Sequence, residues 1–468
     1  MRSDWITVEL GQLGSFKNGA NFNKNHYGSD HPVINVKNLF RGRFATTDGL
    51  DKLASNAIRR IEDYYVRKGD VLFARSSVKA SGAGQVALVR DFDVGTIFSG
   101  FIIRFRANED GRLNSKFLYY VLKSPEYREL LTRIATGTTI SNLSQATLSK
   151  LPINLPSRSE QDEIVSILDQ IDTKSEHNVQ VNKTLENIAQ AIFKSWFVDF
   201  EPVKAKIAAL EAGCSDKDAL IAAMQAISGK DADQLTTMQA QQPEQYAELL
   251  ATAELFPSVM QDSELGEIPE GWSIGNVGKL ANAKGGYAFK SKQFSNVGFP
   301  VLKIKNITGN GTVNLNDCQC IDSATASLAN RFKLSDGDLV MAMTGATVGK
   351  TGLVVSSGED IYLNQRVAKF ESNKFGSEIG YFLFCLFKRK STFDELVGAA
   401  QGSAQPNISS SGIEMVRLVV PKDELVIRFI NTCRPIFNLW MNSERQNFEL
   451  VKARDALLPK LLSGELEV

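Results

Sequence analysis

The chain is predicted to be an α+β protein of two repeated domains, each followed by a long helix. The helices are expected to pair as an antiparallel coiled coil, making the chain nearly twofold. Three observations predict this. The 468-residue sequence begins again past its midpoint: "DWITVELGQLGSFKNGANF" (4–22) returns as "GWSIGNVGKLANAKGGYAF" (271–289), with Trp5/Trp272, Leu13/Leu280, Gly19/Gly286 and Phe22/Phe289 each 267 positions apart. Within each copy, short apolar runs alternate with stretches of helical spacing. After each copy comes a run with apolar residues at alternating steps of four and three.

The echo persists through each copy. "PVINVKNL" (32–39) returns as "PVLKIKNI" (300–307), and "RKGDVLFA" (67–74) as "LSDGDLVMA" (334–342) with Gly69-Asp70 on Gly337-Asp338. "FSGFIIRF" (98–105) matches "LNQRVAKF" (363–370), "GTTISNLS" (137–144) matches "GSAQPNIS" (402–409), and "LPINLP" (151–156) matches "VRLVVP" (416–421). The offset drifts by a few residues, as loop insertions and deletions produce. "GDVLFA", "QVALV", "GDLVMA" and "TGLVV" read as strands. Residues 115–135 and 378–400 read as helices. Each copy is thus a domain of about 150 residues, an ordinary size. The expected domains are 1–155 and 263–420, with helices in 156–200 and 421–468 and an acidic helical connector over 201–262.

In the first helical run the seam comprises Ile164, Leu168, Ile171, Ser175, Asn178, Asn182, Leu185, Ala189, Ile192 and Trp196. The same positions plus 265 give Phe429, Cys433, Ile436, Trp440, Ser443, Asn447, Leu450, Arg454, Leu457 and Leu461. Asn182 and Asn447 fall on equivalent positions, and a buried Asn pair can fix register. Two separate helices, each packed on its own domain, would also fit the pattern. A helix over 163–197 would be ~50 Å long. One turn of DNA is roughly 34 Å, so paired helices have the dimensions of a ruler between two half-sites.

Composition narrows the function classes. Formal net charge is zero, but residues 1–155 carry +8, 156–262 carry −10 and 263–420 carry +2. A basic globular segment followed by an acidic one suggests a polyanion for the first and a different partner for the second. Five scattered cysteines form no disulfide framework, and "CQC" (318–320) has no ligand partner at zinc-finger spacing. No apolar run is long enough to span a membrane, and no secretory signal is recognisable at the start. Catalytic motifs are missing as well. "TGATVGKTG" (344–352) has three residues between Gly345 and Gly349 where a P-loop needs four, and a strand follows where a helix should. The three histidines (His26, His31 and His177) are scattered, and Glu62-Asp63 reads as a solvated face. No Asn/Asp-Pro-Pro-aromatic tetrapeptide of amino-methyltransferases occurs. The chain is therefore expected not to be an enzyme.

Two non-identical α+β repeats, each followed by a long helix, resemble the specificity subunit of type I restriction-modification enzymes. "FKSWFVDFEPVKAK" (193–206), "SELGEIPEGW" (263–272) and "LLPKLLSGEL" (457–466) carry the same resemblance, which covers essentially the whole chain. It implies two target recognition domains, each reading half of a bipartite double-stranded DNA site. It also implies helices that dock two modification subunits, which bring S-adenosylmethionine-dependent adenine methylation. Restriction subunits would add ATP- and Mg2+-dependent translocation and cleavage. The chain would then hold no metal or cofactor itself and would work in a bacterial or archaeal cytoplasm. The competing reading is a coiled-coil scaffold without sequence-specific DNA binding.

Groove reading and phosphate binding need Arg, Lys, Asn, Gln, Ser or Thr on exposed loops. In the first domain the candidates are Lys37, Asn38, Arg41, Arg43, Arg75, Ser76, Lys79, Thr138, Thr139 and Asn142. In the second they are Lys303, Lys305, Asn306, Thr344, Thr347, Lys350, Gln405 and Asn407. "GTTISN" and "GSAQPN" match between domains, so they suit phosphate binding or framework better than base discrimination. Asn182 and Asn447 are the candidate coiled-coil residues. Trp196, Phe197 and Phe200 are expected to face a partner or the core rather than to stack on bases.

Overall fold

Strand Ile6–Glu9 pairs antiparallel with Pro152–Leu155, and Ser273–Asn276 pairs in the same way with Arg417–Val420, so each repeat closes on itself. The computed structural model describes residues 5–40, 42–46, 49–77, 82–90, 95–135, 141–356, 358–400 and 406–466. The chain divides into two units: unit 1 is Met1–Ser175 with Glu449–Val468, and unit 2 is Glu176–Phe448.

Unit 1 has a four-stranded antiparallel sheet ordered Gly14–Asn18, Ile102–Ala107, Val71–Ala74, Val86–Leu88. A three-stranded sheet places Tyr27–Ile34 between Asp51–Leu53, antiparallel, and Ile97–Phe98, parallel. In unit 2 the same order recurs as Asn282–Gly285, Val367–Glu371, Leu339–Ala342, Thr351–Leu353, with Gly311–Thr312 added at the edge. The second sheet there has five strands, with Phe299–Leu302 between Gln319–Ile321 and Ile361–Leu363. The repeat seen in the sequence is thus a repeat of topology.

The Gly-Asp pair repeats for a structural reason. Gly69 and Gly337 have φ of 87° and 82°, a conformation that disfavours any side chain. The aspartate that follows is buried and closes the turn: Asp70 accepts from the Arg67 amide at 2.7 Å and Asp338 from the Ser335 amide at 2.8 Å. Each carboxylate is then neutralised from the neighbouring strand. Arg106 donates twice to Asp70 at 2.7 Å, and Lys369 lies 3.3 Å from Asp338.

The region 115–135, expected as one helix, is two: Ser115–Lys123 and Pro125–Ile134. Ser124 ends the first and caps the second, and Pro125 suits a first turn, where no N–H is needed. The region 378–400 likewise divides into Ile379–Phe387, buried along its whole length, and Lys390–Ala399.

Both long helices form, as Arg158–Phe197 and Asp423–Ser463. In unit 1 Arg454 lies 3.2 Å from Asp172, and Leu458 and Leu461 join Ile164 and Leu168 in one core. In unit 2 the Asn178 side chain donates through Nδ2 to Gln446 Oε1 at 3.1 Å, and the Asn182 side chain donates to Glu444. Partner numbers fall as helix numbers rise, so the pairing is antiparallel, as expected. The expected Asn182–Asn447 pair does not form. Both are buried, but Asn182 takes Glu444, and the Asn447 carbonyl oxygen has no hydrogen-bond partner among the described residues.

Burial pushes the Glu444 carboxyl above the usual carboxylate range, outweighing the hydrogen bond from Asn182. A folded pKa above the unfolded one means stability that is full at low pH and lost as pH rises through the folded value. Glu444→Gln keeps an acceptor for Asn182 without the buried charge. It is expected to raise the melting temperature at pH 8, with the gain shrinking toward pH 4. A pH-independent difference would refute the charge argument.

Residues 201–254 fold as four helices: Glu201–Glu211, Asp216–Ser228, Ala232–Gln241 and Pro243–Glu254. Ser215 and Asp231 form capping boxes with Asp218 and Gln234. Ala223, Met224, Leu235 and Ala253 supply a small core.

Candidate nucleic-acid interface

In each unit some of the candidate residues meet where three chain segments cross: Arg75, Ser76 and Asn142 in unit 1, and Thr344 and Asn407 in unit 2. In unit 1, Asn142 pairs with Ser76 across two short strands, Ser76 Oγ bonds the Asn142 side chain, and the Leu143 amide donates to the Arg75 carbonyl at 2.9 Å. In unit 2, Thr344 bridges Asn407, and the Ile408 amide donates to the Met343 carbonyl at 2.9 Å. The matched blocks around 142 and 407 therefore serve the same junction in both units.

The third segment is a tight turn that the repeated glycine supports. Gly19 N donates to the Ile102 carbonyl at 3.0 Å, and Gly286 N to the Val367 carbonyl at 3.2 Å. A Cβ on Gly19 would fall 2.1 Å from the Ser99 carbonyl oxygen, and one on Gly286 2.1 Å from that of Leu363. This close approach is why both copies of the opening motif carry glycine there.

The individual candidates separate into groups. Asn38 and Asn306 are buried framework: each accepts from the backbone amide three residues earlier, at 2.9 and 3.0 Å, and closes a turn. Arg43 is buried as well; its guanidinium pairs with Asp169, lies 3.4 Å from the Tyr120 hydroxyl and covers the Phe44 ring. It is committed to the fold, which corrects its reading as a loop contact. Thr344 is buried, and Thr347 donates to the Thr344 carbonyl at 3.3 Å. Arg75 is half-buried and donates to the Gly100 carbonyl at 3.3 Å, steadying the turn.

Lys37 and Lys305, equivalent in the repeat, are the exposed cations. Each has an aspartate partner, Asp51 at 3.3 Å and Asp317 at 2.9 Å. Exposed pairs of this kind contribute about 0–1 kcal/mol, so exchanging the carboxylate for another anion costs little. Lys303 sits over the Phe294 ring at 3.4 Å and bonds Gln319; burial, then repulsion from Lys305, lower its pKa. Lys350 is half-buried, and Asn142 and Asn407 are exposed. Arg41, Lys79, Thr138, Thr139 and Gln405 lie outside the described residues.

Trp196, Phe197 and Phe200 are core, not a partner-facing surface. All three are buried in unit 2 against Phe256, Trp272, Phe382 and Phe429. The described residues include no cluster of three or more His, Cys, Asp or Glu side chains able to hold a metal ion. Burial, with Cys320 close by, pushes the Cys318 thiol up to about 12, so it is no ready thiolate. No described helix is long and apolar enough to cross a membrane.

A family model described as "Type I restriction modification DNA specificity domain" matches residues 2–187 and 269–425, one match on each repeat. The chain belongs to this family. Among curated relatives of the type I specificity family, the HindI specificity subunit of Haemophilus influenzae is 29% identical, over 99% of this chain and all of that one. The MjaIX specificity subunit of Methanocaldococcus jannaschii is 24% identical, over 99% of this chain and 94% of that one. A crystal structure of a type I restriction-modification S subunit from M. genitalium shares the fold. It is 15% identical, with a TM-score of 0.50 over 98% of this chain and 97% of that one. The internal repeat and the paired long helices are thus the architecture of the family, with a DNA specificity domain in each half.

Proposed function

We propose that this chain is the DNA sequence-recognition subunit of a type I restriction-modification complex. Units 1 and 2 each read one half of a bipartite, asymmetric double-stranded site. The long helices set the unread gap and dock two modification subunits, whose similar faces a nearly twofold chain can match. Adenine methylation with S-adenosylmethionine, and cleavage with ATP and Mg2+, reside in the modification and restriction subunits; this chain is the non-catalytic reader. The complex works in the cytoplasm.

The observation that carries this reading is the junction of three segments, built with matching backbone hydrogen bonds in both units but from different side chains. Two related readers with one frame and different surfaces are what an asymmetric split target requires. Lys37 and Lys305 supply phosphate contacts by exchanging their aspartates for the DNA backbone, which positions without specifying.

The test is to express the chain with its modification subunit and map methylated adenines in the host genome, beside a control lacking this chain. The expected result is a bipartite motif with a constant gap, absent from the control. A stable, soluble complex that methylates no motif would overturn the reading.

A further inference from the structure

The turns 99–102 and 364–367 are held identically in the two units. The Ile102 amide donates to the Ser99 carbonyl at 2.9 Å, and the Val367 amide to the Asn364 carbonyl at 3.0 Å. The Gly100 amide donates to Ala20 at 2.7 Å, and the Gln365 amide to Tyr287 at 3.1 Å. The Phe101 carbonyl accepts from the Arg75 amide at 2.8 Å, and the Arg366 carbonyl from the Met343 amide at 3.0 Å. Those last two bonds tie each turn to the strand that bears the Ser76–Asn142 or Thr344–Asn407 pairing. The backbone at the apex is therefore fixed on both sides in each unit.

What the apex presents differs. In unit 1 it is one aromatic ring, Phe101, 64% exposed. Its neighbour Gly100 is buried and has no side chain to present; a Cβ there would lie 2.0 Å from Asn21 Oδ1, so a side chain would have to displace Asn21. In unit 2 the apex presents Gln365 and Arg366, both exposed. Among the described residues the Arg366 guanidinium makes no hydrogen bond or ion pair. A lone exposed ring is ordinary on a surface. A ring and a free guanidinium at matching points of one locked turn are not explained by packing, because neither is packed.

We infer that position 101 in unit 1 and positions 365–366 in unit 2 are base-reading positions. Arg366 takes the O6 and N7 edge of a guanine in the major groove, with Gln365 available to an adjacent adenine. Phe101 makes an apolar contact with a thymine methyl. These are the pairings that side-chain and base-edge geometry favour. The inference rests on the DNA-recognition reading above and assigns the chemistry that would distinguish the half-sites. A rigid turn is suited to the task, since a reading group must arrive with its geometry already set.

The test uses the full chain in complex with its modification subunit, once the unaltered complex has defined its motif. Arg366→Ala should lose the guanine requirement at one position of one half-site, with discrimination falling roughly 5- to 150-fold, the range for one bidentate pair. The other half-site should be unchanged. For Phe101, oligonucleotides with uracil in place of each thymine remove the methyl alone. The unaltered complex should be slowed by one such replacement in the opposite half-site, and Phe101→Ala should no longer distinguish the two bases. Equal melting temperatures and equal recovery of the modification subunit confirm that each variant is folded. A motif unchanged in Arg366→Ala, or methylation lowered equally for all sequences as a lost phosphate contact would do, overturns the inference. Either outcome requires a motif from the unaltered complex, so it is distinguishable from failure of the recognition reading itself.

Discussion

Replacing Asp172 by alanine is expected to destabilise unit 1 by about 2 kcal/mol, because it strands a buried phenol and removes one of the two carboxylates on Arg454. Asp172 is 8% exposed, and both carboxylate oxygens are engaged: Oδ2 accepts from the Tyr120 hydroxyl at 2.9 Å and Oδ1 from Arg454 at 3.2 Å. Tyr120 is itself buried, and its hydroxyl also accepts at 3.4 Å from Arg43, which pairs with Asp169. Losing the carboxylate leaves a buried phenol without its acceptor and takes from Arg454 one of its two carboxylate partners, with Asp455 remaining at 2.7 Å. Asp172→Asn preserves an acceptor and should cost distinctly less. Denaturant unfolding gives the free energies, and amide exchange over 449–466 should quicken in the alanine variant. A loss below about 1 kcal/mol would show that the network is dispensable.

The counterpart of this network in unit 2 is apolar. At the positions equivalent to Asp172, Tyr120 and Arg454 stand Phe437, Cys385 and Ala189, all buried. Phe437 stacks on Tyr381 with ring centroids 4.4 Å apart and planes 8° from parallel. The two junctions are therefore not interchangeable. A helix carrying Arg454 would bring a charged pair, Arg454 with Asp455, to an apolar site, and one carrying Ala189 would leave Asp172 without a cation. In a chain built from a repeat, such mismatches penalise wrong pairings of related parts.

The repeat was the most legible feature of the sequence because it rests on local geometry. Gly69-Asp70 and Gly19 recur since a positive φ, a buried capping carboxylate and a backbone approach admit few residues. The helix pair was legible from its spacing, but its polar contacts were not. Asn182 meets Glu444 rather than Asn447 because a seam periodicity specifies which faces meet and not which polar side chains reach each other. Arg43 looked like a DNA contact because its acceptor, Asp169, lies 126 positions away, invisible to any local pattern. Asn38 and Asn306 misled for the opposite reason: the same side chain that can read adenine also closes a turn three residues long. The turn at 99–102 was hidden inside a block that reads only as "FSGFIIRF", and its shape emerges from hydrogen bonds to residues 20, 34 and 75.

Trp196→Ala is expected to have the largest effect of any single substitution considered, a loss of about 3–5 kcal/mol from unit 2. Trp196 is 1% exposed, with ring centroids 5.5 Å from Phe256 and 6.1 Å from Phe429. Its neighbour Phe197 contacts Phe382 and Trp272, the tryptophan that opens the second repeat. The phrase "FKSWF" at the end of the first long helix thus packs that helix against the second domain's own core, so truncation leaves a cavity at the centre of an aromatic cluster. Aromatic pairs of this kind also contribute about 0.5–1.5 kcal/mol beyond the area they bury, and three are lost together. Denaturant titration of the full chain should show unit 2 unfolding early while unit 1 keeps its midpoint. If stability instead changed by less than about 1 kcal/mol and the modification subunit no longer co-purified, Trp196 would be a docking residue, and its burial would have to give way when the partner binds.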